Sequence, residues 1–425
     1  MAKQEFPVYR PESERAPVEI IRNSQWERLN RLLAEILPAN RFYQRKLGHL
    51  SLPLTWERFH ALPFTTKMEL VCDQETFPPL GAIATYDRDR YVTYHQTSGT
   101  TGRPLIVLDT PESWSWWSAC WQYVYRGAGV TRSDRIFLAF SFGPFIGFWS
   151  ALEGARQLGA MTIPGGGMDS KTRLRMIRDA EASVLLSTVT YALHLEEVAR
   201  LEKISLPDCC VRITIHAGEP GASIPSIRAR IENAWGARCY DHAGATEVGA
   251  YGYPCEAQQG LHVNEWEFIA EILDPHNGAP VAHGDIGELV ITNLGRPGWP
   301  VIRYRTGDLV RAGGRACACG RSTLLLSGGI IGRADDLMII RGVNVYPSAV
   351  EAIVRMFDVA EFRILRQRRD VMEELLIEVE ADDAVAVRVA DALRQGLGIR
   401  ISTRSVPHGS LPRSELKARR IVDCR

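Results

Sequence analysis

Between Tyr91 and Ile302, short β-rich runs (YVTYHQ, LIVLD, RIFLAFSF, AMTIP, SVLLST, VRITIHAG and RCYDHAG) alternate with helical stretches such as SKTRLRMIRDA and IPSIRARIENAWG. Runs apolar on both faces need cover on both sides, so the alternation predicts parallel βαβ units and an α/β core. FIAEILDP, GELVITN and RYRTGDLVRA read as antiparallel strands of a smaller sheet. Ahead of this core, Ile21, Trp26, Leu29, Leu32, Leu33 and Ile36 fall at helical spacing, so an amphipathic helix is expected within residues 18–47. At 425 residues the chain is too long for one ordinary core. A second unit is expected from Gly332. GRADDLMIIRGVNVYPSAVEAIVRM reads as strand, turn and helix, followed by two strands and a further helix, AVAVRVADALRQGL. The expected division is a large domain over 1–331 and a small α+β domain over 332–425.

Charge narrows the partners. Lysine plus arginine and aspartate plus glutamate number 50 each, which leaves no basic excess for nucleic acid or an anionic membrane. The opening MAKQEFPVYRPESER has charges and prolines where a secretory signal needs an apolar run, so the expected location is cytoplasmic. The uncharged stretch Ile136 to Leu152 is broken by Gly143, Pro144 and Gly147 and reads as a buried strand entering an aromatic loop rather than a membrane helix. Of nine cysteines, Cys72, Cys120, Cys209, Cys210, Cys239 and Cys424 lack ligand-like spacing and read as core or inert surface thiols.

The stretch HQTSGTTGRP, His95 to Pro104, raises the question of phosphate. A Walker loop ends in Gly-Lys-Ser/Thr and opens a helix, whereas here Gly102 is followed by Arg103, Pro104 and the strand LIVLD. What remains is a loop between two strands whose Thr97, Ser98, Thr100 and Thr101 hydroxyls and glycine amides can wrap an oxygen-rich anion. Alone, such a turn is more often a plain hairpin.

Other segments change that balance. TSGTTGRP at 97–104, AGEP at 217–220, AGATE at 243–247, YRTGD at 304–308, GRADD at 332–336 and PRSELK at 412–417 occur in the order found in adenylate-forming enzymes. With LPFTTK at 62–67, FGPFIGFW and RGVNVYPSAVE at 341–351, the chain resembles the phenylacetate–CoA ligase family of that superfamily along nearly its whole length. The resemblance implies a large adenylation domain, a small mobile lid, and two half-reactions. A carboxylate attacks the α-phosphate of Mg·ATP to give acyl-AMP and pyrophosphate, and a thiol, usually coenzyme A, then displaces AMP.

The resemblance also implies roles. Thr97, Ser98, Gly99, Thr100, Thr101 and Gly102 would hold the outer phosphates, Thr246 would bond the α-phosphate, and Glu247 would ligate Mg²⁺ as a hard oxygen donor. Gly218 and Glu219 would line the adenine, with Asp241 also at the ATP site. Asp308 would accept both ribose hydroxyls, and Arg333 would contact ribose or phosphate. Taken alone, Asp308 reads as a turn aspartate beside Gly307. Lys417 would bridge the substrate carboxylate and the phosphate; it sits on the small domain, so closure must deliver it, and Asp335 matches the family's hinge.

The chain departs from the family twice. Ala243 stands where tyrosine commonly stacks on adenine, and Leu416 precedes Lys417 where glycine is usual. Losing the ring costs about 1 kcal/mol of stacking and opens space beside the acid. Phe142, Phe145, Ile146, Phe148 and Trp149 divide between core and pocket; with His216, Ala217, Ala243 and Gly244 they suggest an apolar slot for an aryl or arylacetic acid. Cys255, His262, Cys317 and Cys319 offer three thiolates and an imidazole, a tetrahedral set for structural Zn²⁺ like that of the family, although the same residues alone read more readily as buried thiols and a bonded histidine. Transfer of the acyl group to a carrier-protein thiol or an amine is the alternative to coenzyme A, and relatives often pair as homodimers. A non-catalytic nucleotide-binding or zinc-scaffold protein is the third reading, disfavoured by the joint presence of Glu247, Asp308 and Lys417.

Overall fold

The computed structural model describes residues 9–97, 103–340, 343–369, 372–413 and 420–424. After a single turn at Pro11–Glu14, a long helix runs Val18–Ile36, and Ile21, Leu29, Leu32, Leu33 and Ile36 line its buried face. It ends with the last of the periodic apolar residues. Pro38 follows its end, and a second helix, Arg41–Leu47, starts on the Asn40 cap, whose side chain accepts from the Tyr43 amide.

The strands fall into sheets in chain order. β1 (Thr93–Gln96) and β2 (Ile106–Asp109) form an antiparallel hairpin. This corrects their expected place among the parallel units, and the reason is length: the short link between them is less than the dozen or so residues a parallel crossover requires. β3 (Arg135–Leu138), β4 (Met161–Pro164), β5 (Val184–Ser187), β6 (Ile213–His216) and β7 (Arg238–Asp241) make the parallel sheet, ordered β4-β3-β5-β6-β7. Alternate side chains enter different cores. Ile136, Leu138, Val184, Leu186 and Tyr240 pack toward the helix Pro111–Gly127, whereas Phe137, Leu185 and Cys239 pack against the helices Ser170–Asp179, Val189–Leu201 and Pro225–Trp235.

β8 (Ala243–Ala245), β9 (Gly249–Tyr253), β10 (Gly260–Val263), β11 (Phe268–Leu273), β12 (Ile286–Asn293), β13 (Tyr304–Ala312) and β14 (Leu325–Arg333) form an antiparallel sheet ordered β11-β12-β13-β14-β10-β9-β8. It is larger than the parallel sheet, not smaller as expected. AGA and GAYGY carry too few branched side chains to read as strands; GAYGY forms because both of its edges find partners, β8 and β10, and AGA forms as the edge strand against it.

β14 remains paired through Gly332 with Leu309 and through Arg333 with Asp308. The next core begins at Met338. It is built from the hairpin β15 (Met338–Ile340) and β16 (Val343–Val345), the helices Pro347–Val354 and Asp383–Leu397, and a sheet ordered β19-β18-β17-β20. Those strands are β17 (Phe362–Arg369), β18 (Met372–Glu380), β19 (Ser402–Val406) and β20 (Ile421–Asp423). Polar contacts dock this unit on the large one: Ser226 Oγ donates to the Ala352 carbonyl at 2.8 Å, Arg230 to the Val359 carbonyl at 3.0 Å, and Arg413 pairs with Glu197 at 3.0 Å. No helix among the described residues is long and apolar enough to cross a membrane.

Candidate active site

Ser98, Gly99, Thr100, Thr101, Gly102 and Lys417 lie outside the described residues. The base of their loop is well defined. Thr97 donates its amide to the Leu105 carbonyl, and its hydroxyl oxygen accepts from the Leu105 amide, both at 3.0 Å, so Thr97 closes the hairpin mouth. The Gln96 amide donates to the Pro144 carbonyl at 2.9 Å, which ties the hairpin to the aromatic loop.

At the other end of the hairpin, Asp109 grips Arg296 in a two-point pair with both N–O distances 2.7 Å and both side chains fully buried. The same guanidinium lies 4.5 Å from the Trp117 ring centre and donates to the backbone carbonyls of Thr246 at 2.9 Å and Glu247 at 3.3 Å. One cation thereby connects the strand leading out of the hydroxyl loop to the AGATE segment. Nothing in the local sequence LGRPGW marks Arg296 for this.

The Glu247 carboxylate is buried and lies 3.2 Å from the Lys67 ammonium. Lys67 comes from LPFTTK, whose Thr65 bridges β13 by exchanging backbone bonds with Arg303 and Arg305, while Thr66 and Glu69 form a capping box that starts the helix Lys67–Thr76. The Tyr304 hydroxyl bonds Glu247; burial, then the negative carboxylate, holds its pKa far up, so it stays a donor. Four residues along β13, beyond the break in its register with β12 and the left-handed Gly307, Asp308 accepts from the Tyr251 hydroxyl at 3.1 Å and from Arg333 at 3.2 Å. Arg333 also donates to the Thr306 carbonyl at 2.7 Å and to Asp335 at 3.0 Å. Gly307 has φ of 74°, a conformation that favours glycine, and a Cβ there would push on the Arg333 guanidinium 2.7 Å away. Lys67, Tyr304, Tyr251 and Arg296 were missed as site residues because pairing across sheets, not sequence spacing, brings them in.

Gly218 follows β6 with φ of 96°, and the Glu219 carboxylate accepts the Thr190 amide at 2.6 Å; burial raises the Glu219 pKa, opposed by the nearby Arg420 cation. Asp241 accepts from Ser223 at 2.6 Å and from the His242 amide at 3.0 Å, and burial pushes its carboxyl up to about 6.

In the aromatic segment Phe142 packs edge-on to Trp149 at 4.8 Å, Phe145 is exposed, and Ile146 is half-buried. Phe148 is a core residue, packed on Phe140 at 5.1 Å and on Trp121 at 6.1 Å. Ala217 is half-buried and Gly244 exposed, while Ala243 is buried with its methyl directed at Gly252. His216 departs from its expected place in the pocket wall. Its ring has no exposed surface, and its nitrogens lie 3.2 Å from the Ser187 hydroxyl and 2.9 Å from that of Thr214, a satisfied core imidazole that burial lowers to about 4.

Cys255, His262, Cys317 and Cys319 converge with all four donor atoms within 4.8 Å of one another. Cys255 Sγ and Cys317 Sγ are 3.7 Å apart and unbonded, and Cys319 Sγ lies 3.4 Å from His262 Nε2. A tetrahedron with metal–sulfur bonds of about 2.3 Å has sulfur–sulfur edges of about 3.8 Å, so these separations suit one tetrahedral ion. His262 Nδ1 lies 3.3 Å from the Thr323 carbonyl, which orients Nε2 toward the thiols. The Cys255 contact, with His262 and Arg321, holds the Cys319 thiol well below its ordinary pKa despite burial.

Comparison with known proteins places this geometry. Residues 342–425 match the family described as AMP-binding enzyme C-terminal domain. The phenylacetate–coenzyme A ligase of Thermus thermophilus is 30% identical over 98% of this chain and 100% of its own length, and that of Escherichia coli is 33% identical over 85% and 84%. A solved 2-hydroxyisobutyryl-CoA ligase, 29% identical, superposes over 100% of this chain and 94% of its own with a TM-score of 0.93 in its postadenylation state with 2-HIB-AMP. The same enzyme scores 0.76 in an open conformation and 0.74 in the thioesterification state, covering 95% and 91% of its length and 100% and 97% of this chain, so the small unit here sits as in the postadenylation arrangement. By sequence, fold and site, the chain belongs to the phenylacetate–CoA ligase family of adenylate-forming enzymes.

Proposed function

We propose that this AMP-forming acid–CoA ligase activates an aromatic carboxylic acid, aryl or arylacetic. The observation that carries the site is that one strand, β13, holds both Tyr304, bonded to Glu247, and Asp308, bonded to Tyr251 and Arg333. A nucleotide bound between these two clusters would have its ribose at Asp308 and its phosphates between Glu247 and the hairpin. Glu247 would hold Mg²⁺, which when bound neutralises phosphate charge; the buried carboxylate and its phenol partner fit a hard cation. The Lys67 ammonium and Lys417 supply the remaining positive charge that a carboxylate attacking a polyanion needs. The half-exposed rings of residues 142–149, tied to the hairpin through Pro144, support the aromatic acid.

Cys255, His262, Cys317 and Cys319 hold a structural Zn²⁺ in this reading, four protein ligands leaving no position for a catalytic water. The acceptor is coenzyme A.

The test incubates enzyme, ATP and Mg²⁺ with phenylacetate, benzoates, heteroaryl acids and 2-hydroxyisobutyrate, and measures pyrophosphate release, then thioester formation with coenzyme A. Acid-dependent release that is largest with an aryl or arylacetic acid is expected. Preference for 2-hydroxyisobutyrate refutes the aromatic reading, and an acyl-AMP consumed by amines or a carrier thiol but not by coenzyme A refutes the acceptor.

A further inference from the structure

We propose that His242 is a specificity-determining residue whose Nε2 lone pair accepts a hydrogen bond from the acid, so that the preferred substrate carries an N–H or O–H donor on its ring or carbon skeleton. This rests on the adenylation reading of the segments around 140–149 and 243–247.

His242 Nδ1 lies 2.7 Å from the Gly252 carbonyl, and a carbonyl only accepts, so the proton sits on Nδ1. Burial holds the ring down to about 4, so it is neutral at working pH, and Nε2 is then an acceptor. Among the described residues Nε2 has no bonding partner, yet it is not among the fully enclosed unpaired atoms, so the one free lone pair of a nearly buried ring faces an opening. Gly244 keeps it open. A Cβ at that position would stand 3.2 Å from Nε2 and cover it. The ring also rests on Trp121 at 4.3 Å, and Trp121 packs on Phe148, so the imidazole belongs to the same aromatic wall as residues 140–149. Next to it, Ala243 adds no bulk. A buried acceptor beside an apolar wall discriminates strongly, because an acid without a donor leaves the lone pair desolvated and unpaired.

The experiment measures kcat/KM for pyrophosphate release with matched acids: benzoate against aminobenzoates and hydroxybenzoates, phenylacetate against hydroxyphenylacetates, and isobutyrate against 2-hydroxyisobutyrate. In the wild type one donor-bearing acid should exceed its donor-free partner by about a hundredfold. His242→Leu should collapse that ratio to near unity while retaining activity on the donor-free acid, and His242→Gln, which keeps an amide, should restore part of it. Equal use of both members of every pair by the wild type overturns the proposal. So does an unchanged ratio in His242→Leu, and so does loss of activity on all acids in both variants while they melt like the wild type. Failure of every acid to release pyrophosphate from wild-type enzyme removes the adenylation reading, and the proposal falls with it.

Discussion

Arg296 shows how a side chain far from any motif can govern one. Its charge is cancelled by Asp109, and its remaining N–H groups hold the Thr246 and Glu247 carbonyls, so it acts as a positioning residue between hairpin and metal ligand. Arg296→Lys keeps the charge but not the fork. Its kcat for ATP–pyrophosphate exchange should fall at least tenfold, on the order of 1.4 kcal/mol, with the KM for acid unchanged; a change confined to melting temperature would make the residue merely structural. Asp241 carries a pH consequence. Its folded pKa, raised from 3.8 to about 6 by burial, means the native state holds a proton the unfolded chain has lost between those values, so its contribution to stability falls as pH rises across that window. Asp241→Asn removes the titration. Its melting temperature relative to wild type should be more favourable at pH 7.5 than at pH 4.5, and an offset equal at both would contradict the cause assigned. Asp308 was legible in YRTGD because the motif is contiguous, whereas its partners Tyr251 and Arg333 come from other strands, and only the register of β13 with β14 aligns Arg333 with it.

At the scale of elements, the antiparallel sheet is where sequence reading was weakest and where the cysteine cluster sits. β10 is only four residues long and contains a glycine, yet it is flanked by β9 and β14, and His262 projects from it toward Cys319. A bound ion here would pin β10 to the segments that carry Cys255 and Cys317. Protein purified without added metal should contain zinc at about one equivalent. Strong chelation should lower the melting temperature by several degrees, and Cys319→Ser should lower both zinc content and stability. Full stability with no metal of any kind would remove the ion from the account. The hairpin β1–β2 makes the complementary point. Its strands were legible, but their partners were not, since strand propensity says nothing about whether a neighbour is parallel or antiparallel until loop length is counted.

For the whole molecule, among the described residues the small unit rests on the large one through ionic and polar contacts, its apolar core remaining separate from those of the large unit. Arg413 bridges Glu197 of the large unit and Glu380 of the small one, and Arg420 joins Glu351 and Glu361 while approaching Thr190 at 3.5 Å. Such pairs would suit a joint that opens, because water replaces them at little net cost. Glu197→Ala should therefore weaken the arrangement that resembles the postadenylation state. Adenylation should slow by about two- to fivefold while thioester formation from preformed acyl-AMP is unchanged or faster; equal slowing of both steps would contradict the assignment. The alternation of strand and helix, the contiguous motifs TSGTTGRP, AGATE and YRTGD, and the donor types of the cysteine cluster were determined by sequence alone, because each depends on residue identity over a few neighbouring positions. The extent of the antiparallel sheet, the burial of His216, the Asp109–Arg296 bridge, the Lys67–Glu247 pair and the exposed lone pair of His242 were decided by tertiary structure, because each is a contact between segments whose meeting depends on strand register and on which face of a sheet is covered.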